Sequence, residues 1–191
     1  MKAEQRVGIF VDIQNLYYTA RNVYNSRVNF GAILKDAVGD RPLVRAIAYG
    51  IRAQMPEEES FFEAVRKSGF DLKLKDLQTF YGGAKKGDWD TGIVMDIIKM
   101  NAKLDTVILA SGDGDYIPLL EYLQVLGQRV ELVSFSKSTS AKMGELVDSH
   151  LDLDADTKKY LMPIRGGGTS PRRRPTGSPS AASSRTATIH Q

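Results

Sequence analysis

Two apolar runs, residues 7–11 and 106–110, each end in a turn that carries carboxylates, and each leads into a segment of helical periodicity. A short unbroken apolar run followed by a helix is how a strand buried on both faces of a parallel sheet reads in sequence. The alternation recurs along the chain. Strands are expected at residues 6–12, 43–49, 70–74, 106–110 and 129–134, and helices at 14–24, 30–38, 56–67, 91–101, 116–126 and 139–147. Pro56 suits the first turn of its helix, and Glu57, Glu58 and Glu59 suit its positive end. This pattern predicts an α/β fold with a mostly parallel sheet covered on both faces.

If the first and fourth of these strands are neighbours, Asp12 and the turn Ser111-Gly112-Asp113-Gly114-Asp115 meet at one carboxyl edge. Open α/β sheets hold their ligands at that edge. Several oxygen anions converging there require a cation, and a hard one. Each carboxylate also has a plainer role available. Asp12, Asp90 and Asp115 stand where helices begin, and Asp is a common N-cap. Asp113, with a glycine on each side, leaves room for a ligand to approach closely. Asp96 interrupts the apolar helix that contains Ile93, Val94, Met95, Ile97, Ile98 and Met100, a helix expected to be well buried. It is a metal ligand, an orienting group or the partner of a basic side chain, because a buried carboxylate must be paired or neutral.

At 191 residues the chain fits one domain, residues 1–162, and a tail, residues 163–191. The tail is rich in Arg, Ser, Pro and Gly and cannot bury enough apolar surface to order itself. It holds five arginines and no Lys, Asp or Glu, which exceeds the chain's net charge of +3. The rest of the chain is therefore net negative, and its basic character belongs to the tail. Arg172, Arg173 and Arg174 would be the centre of an arm that contacts nucleic acid. There is no cysteine, and of the two histidines only His150 lies inside the expected domain. Thiolate sites are excluded, and a metal site must be built from Asp, Asn, Ser and water. No apolar run approaches the ~20 residues that span a bilayer. The N-terminal residues do not read as a secretory signal, so the expectation is a cytoplasmic protein with no membrane partner.

Taken together, Phe10-Val11-Asp12-Ile13-Gln14-Asn15, Lys86-Gly87-Asp88-Trp89-Asp90 with Asp96 downstream, and Ser111-Gly112-Asp113-Gly114-Asp115-Tyr116 resemble the NYN domain. The likeness is to its LabA-like branch, within the PIN-like nuclease superfamily, and covers most of residues 6–153. Gly127-Gln128-Arg129-Val130-Glu131-Leu132 and the Ser-rich stretch 134–140 are similar to the family as well. The resemblance implies a three-layer α/β/α sandwich with a parallel central sheet. It also implies an acidic pocket of Asp12, Asp90, Asp113 and Asp115 holding Mg²⁺ or Mn²⁺, and cleavage of RNA.

On that reading Asp12 and Asp113 hold a divalent ion, and Asp90 and Asp115 complete the pocket. Asn15, Lys86, Ser111 and Trp89 are expected on the substrate side. Lys86 would touch the RNA backbone, and Ser111 would orient a carboxylate or a water. Trp89 and Tyr81 are candidates for stacking on bases, whereas Tyr17, Tyr18 and Tyr116 are expected in core or rim packing. The competing function is a regulatory module that holds metal, nucleotide or RNA without turnover, which the net negative charge of residues 1–162 favours. Other phosphate chemistries fit less well. A haloacid-dehalogenase-like phosphatase wants an Asp where Gln14 stands, a receiver domain wants an acidic pair near the first strand, and no P-loop is present.

Overall fold

The computed structural model describes residues 5–53, 58–79 and 85–164. In chain order the elements are β1 (Val7–Asp12), α1 (Ile13–Tyr24), β2 (Ser26–Val28), α2 (Phe30–Val38), β3 (Leu43–Arg52), α3 (Glu58–Lys67) and β4 (Asp71–Asp76). They continue with β5 (Gln78–Thr79), β6 (Lys85–Lys86), α4 (Asp90–Met100), β7 (Thr106–Ala110), α5 (Ile117–Val125), β8 (Arg129–Ser134) and α6 (Ala141–Glu145). The last are β9 (Ser149–Asp152), α7 (Thr157–Tyr160) and β10 (Leu161–Pro163). Short 3₁₀ turns occupy Asn101–Lys103, Gly114–Tyr116 and Ser136–Ser138.

Six strands form one sheet in the order β4-β3-β1-β7-β8-β9, and every pairing in it is parallel. Numbered by sequence, that order is 3-2-1-4-5-6, the doubly wound arrangement. From β1 the chain first builds outward through β3 and β4. It then returns to the other side of β1 with β7. The reversal opens a crevice at the carboxyl ends of β1 and β7, where Asp12 and Ser111 stand.

The strands alternate between two cores. Val7, Ile9 and Val11 of β1 face the core shared with α1, α2 and α3. Phe10 faces the opposite core, with Ile93 and Ile97 of α4 and Leu119, Leu120 and Leu123 of α5. β3 divides in the same way, Ala46 and Ala48 to one side and Ile47 and Tyr49 to the other. Helices thus cover both faces of the sheet, which is the three-layer α/β/α sandwich. Among the described residues no helix is long and apolar enough to cross a membrane.

Local chemistry sets the helix ends. Asp12 caps α1 by accepting from the Asn15 backbone N–H at 3.1 Å. Asn29 does the same for α2 through Ala32. Asn25 ends α1 in the left-handed region at φ 45°, which asparagine tolerates better than most residues. Arg66 and Lys67 complement the negative end of α3, and Glu58 and Glu59 its positive end.

Three expectations need correction or limits. First, α4 is not buried around its circumference: Ile93 and Ile97 are enclosed, but Met95 and Ile98 are 43% and 37% exposed, because the sheet covers only one side of it. Second, β9 was not expected, since Ser-His-Leu-Asp carries no apolar run; it is a half-exposed edge strand, and such strands need little hydrophobicity. Third, the expected start of α3 at Pro56 and Glu57, the residue Tyr81, and residues 165–191 with their arginines lie outside the described residues.

Candidate functional site

Asp12 is the last residue of β1, the central strand at which the sheet order reverses. It is 7% exposed. One carboxylate oxygen caps α1. The other accepts from the Ser111 and Tyr116 hydroxyls, each at 3.4 Å. The Tyr116 hydroxyl also donates to Oδ1 of Asp90 at 3.1 Å. One fully buried phenol therefore stands between the carboxylate at the end of β1 and the carboxylate at the start of α4.

The loop after β7 is bound to this pair. Ser111 is buried, and its Oγ accepts from the Asp113 N–H at 3.2 Å while donating to Asp12. Oδ1 of Asn15 accepts from the Gly112 N–H at 2.9 Å. Asn15 is thus a clamp between α1 and the acidic loop. Asp113 accepts from the Asp115 N–H at 3.0 Å and caps the 3₁₀ turn that leads to α5. Asp115 is exposed at the rim.

The Ser-rich segment after β8 closes the other side. The Ser140 N–H donates to the Gly112 carbonyl at 3.2 Å, and the Thr19 hydroxyl donates to Ser138 Oγ at 3.1 Å. A Cβ at position 112 would stand 2.9 Å from the Ser138 carbonyl oxygen and 3.2 Å from Thr139 Cα. Both are backbone atoms, which cannot swing aside. Gly112→Ala is expected to lower stability by about 1–3 kcal/mol through overpacking, read as a shift of the urea midpoint with the slope unchanged.

Electrostatics follow from this crowding. Burial, with repulsion from Asp90 and Asp113, raises the Asp12 carboxyl to about 6. Burial also raises Asp90, aided by repulsion from Asp88, Asp113 and Asp115 and opposed by the Tyr116 hydrogen bond. Tyr116 is driven well above the ordinary phenol range by burial and by the Asp12 and Asp90 charges, so it is a permanent donor here. The cluster holds more negative charge than its own hydrogen bonds neutralise.

Among the described residues no group of three Asp, Glu, His or Cys side chains is arranged to hold a metal ion. What the donor set fits is a hydrated divalent ion held by one or two carboxylates, as Mg²⁺ is often bound. Asp12 and Asp90 are the residues that would hold it. Burial and mutual repulsion already strain their ionised forms, and a cation would relieve both.

The other expected residues divide. Asp96 is the partner of a basic side chain. It accepts from Lys73 Nζ of β4 and from the Tyr49 hydroxyl of β3 at 2.8 Å. Burial pushes its carboxyl up, but the Lys73 and Tyr49 bonds outweigh this and hold it below the usual range. Trp89 is tied to the sheet: its Nε1–H donates to the Gly50 carbonyl at 2.8 Å, its edge meets Tyr49, and Lys75 Nζ lies 4.1 Å from its ring centre. A base stacking on the face that Lys75 covers would have to displace it. Lys86 is in β6, and its side chain lies outside the described residues.

Sequence reasoning gave Tyr116 a packing role and missed its bond to both carboxylates. The available signal was a tyrosine directly after the acidic turn, because a buried phenol needs a partner for its hydroxyl. Of the core or rim packing expected for Tyr17 and Tyr18, the rim holds: they are 36% and 55% exposed and pack edge-on with each other, and Tyr17 also with Phe61.

Known proteins are similar to this chain in sequence and fold. The chain is 23% identical over 165 residues to the low amplitude and bright protein LabA of Synechococcus elongatus, covering 82% of this chain and 87% of that protein. A crystal structure of a protein of unknown function from Vibrio parahaemolyticus superposes with a TM-score of 0.77 at 32% identity, over 85% of this chain and 99% of the other. The profile of the NYN domain matches residues 6–154, a span that contains every element from β1 to β9 and all four carboxylates of the acidic cluster. The chain therefore belongs to the NYN domain family, a member of the PIN-like nuclease superfamily.

Proposed function

We propose that the protein is a divalent-metal-dependent ribonuclease that hydrolyses RNA phosphodiester bonds. The observation that carries this reading is the convergence of Asp12 and Asp90 on one tyrosine hydroxyl at the switch point of the sheet, with Asp113 close enough to repel both. When bound there, Mg²⁺ or Mn²⁺ would lower the pKa of a coordinated water and stabilise charge on the phosphate.

The chain's own residues then have separable tasks. Asp12 and Asp90 supply the carboxylate oxygens. Tyr116 has one hydroxyl hydrogen to share between them, and its contacts to both fix their orientation. Ser111 couples Asp12 to the Asp113 loop, and Asn15 holds that loop against α1. Asp113 and Asp115 add negative charge at the rim, where water or a second ion would be positioned. Lys86 would contact the substrate backbone.

Asp113→Asn tests the reading cleanly. Asparagine retains the oxygen that accepts from the Asp115 N–H, so the turn should persist. Mn²⁺-dependent cleavage of a single-stranded RNA should fall at least ~100-fold, a loss comparable to that of a positioned catalytic group, with an unchanged melting curve. Undiminished cleavage would reject the proposed role of the acidic loop.

A second reading is a module that binds metal or RNA without turnover. One observation favours it: residues 1–162 are net negative, which gives an RNA strand no basic track to follow through a cleavage site. Stoichiometric RNA retention with no product across Mg²⁺, Mn²⁺ and chelator would support it over hydrolysis. The arginine-rich tail is proposed to add salt-dependent affinity for nucleic acid in either case.

A further inference from the structure

Beside the acidic cluster lies a cavity of about 720 Å³ between α1, the end of β3 and α3. Its size is within the range of small-ligand sites, about 300–1,000 Å³. It lies at the carboxyl end of β3, the strand next to β1, and so shares an edge of the sheet with Asp12. α1 separates the two. Its first turn sends Asn15 to the acidic loop, while Gln14, Tyr17 and Tyr18 line the cavity.

The lining is mixed in a specific way. Tyr18 meets Tyr17 edge-on at 5.7 Å between centres, and Tyr17 meets Phe61 edge-on at 5.9 Å. The aromatic series runs from exposed Tyr18 to half-buried Phe61. Three aromatic rings offer faces and edges for a flat ring system. At the mouth stand the Gln14 amide and the Arg27 guanidinium, neither of which makes a hydrogen bond or ion pair among the described residues. Glu58 also lines the cavity, and its two carboxylate oxygens share the Ala53 N–H. One amide and one guanidinium beside these edge-packed rings suit a base edge and a phosphate.

A physical path joins the cavity to the cluster. A Cβ at Gly87 would stand 3.1 Å from Ile51 and 3.2 Å from Leu77, so this segment rests on two cavity-lining residues. Three residues later the same segment delivers Asp90, and between them Trp89 is fastened to Gly50.

We infer that this cavity receives one base of the RNA strand, adjacent to the nucleotide held at the acidic cluster. The inference rests on the ribonuclease reading for its substrate. The base packs against Tyr17 and Tyr18, face-on to one ring and edge-on to the other, Gln14 meets its polar edge, and Arg27 takes a flanking phosphate.

The test is an anisotropy titration of a labelled ten-nucleotide single-stranded RNA in Mn²⁺. It uses Asp113→Asn protein so that the RNA stays whole. Added to that background, Tyr18→Ala or Tyr17→Ala is expected to weaken binding about tenfold. Tyr18→Phe should bind as the parent does, because the ring is retained. Both tyrosines are exposed at the surface, and melting curves check that the variants fold. A 4-thiouridine placed along the same RNA should crosslink to the α1 tyrosines from one position only, a readout that needs no substitution.

If the unmodified protein cleaves RNA but the tyrosine variants bind normally and no crosslink reaches α1, the cavity assignment falls and the nuclease reading stands. If nothing is cleaved with any metal, yet the tyrosines govern RNA binding, the nuclease reading falls and the cavity assignment stands. An RNA that does not bind at all overturns both.

Discussion

Asp12→Asn is expected to abolish cleavage and, in chelator at pH 7, to make the protein more stable. The two effects share one cause. In the metal-free protein, burial and the neighbouring Asp90 and Asp113 charges raise the Asp12 carboxyl to about 6. In the unfolded chain it titrates near an ordinary value of about 3.9. Between those values the folded state holds the extra proton, so this group's contribution to stability declines as pH rises through the window. Above about 6 the full penalty is present. It amounts to about 2–3 kcal/mol. Asparagine removes the charge, keeps an oxygen for the Asn15 N–H and is as good an N-cap as aspartate. The Ser111 and Tyr116 hydroxyls can turn to accept from its amide.

The expected gain is about 5–10 °C in melting temperature at this chain length. The comparison must be made between variant and parent at each pH. Asp36, Asp105 and Asp152 are held below the usual range by hydrogen bonds, so they act in the opposite direction as acid is added. The gain should shrink as pH falls below about 6 and vanish below the unfolded value of about 3.9, where Asp12 is protonated in both states. A variant less stable than the parent at pH 7 would show that the carboxylate is not under the strain described.

The second large effect is the response to metal. A cation that binds the folded state only stabilises it by mass action, by about 2.7 kcal/mol at a hundred times its dissociation constant. Mn²⁺ should raise the melting temperature of the parent at pH 7.5, and the increment should fade below about pH 6 as Asp12 takes up a proton. Asp12→Asn and Asp90→Asn should lose most of the increment. Asp96→Asn should keep it, because Asp96 is paired with Lys73 and Tyr49 instead. Equal increments in all four proteins would place the ion elsewhere.

The legible parts of this chain were those where one local signal sufficed. β7 is a continuous apolar run, β8 is a short strand built on Val130, Leu132 and Val133, and α2 is bounded by Asn29 and Gly39; all three match the structure residue for residue. Asp12, Ser111 and Asp113 could be placed together because each directly follows such a run. What stayed hidden depends on a partner from a distant strand. Asp96 looked like a possible ligand until β4 and β3 brought Lys73 and Tyr49 to it. Trp89 resembled a stacking platform, yet Gly50 and Lys75 occupy its edge and face. The edge strand β9 carries too little apolar signal to be read, whereas the other edge, β4, was legible from its Phe70–Leu74 stretch.

Diffraction from a crystal grown in Mn²⁺, with data collected near the manganese absorption edge, is the most direct trial of the shared acidic pocket. The expected anomalous peak touches carboxylate oxygens of Asp12 and Asp90, next to the Tyr116 hydroxyl. A saturating Mn²⁺ concentration that leaves this position without a peak, while the protein still cuts RNA, would contradict the account.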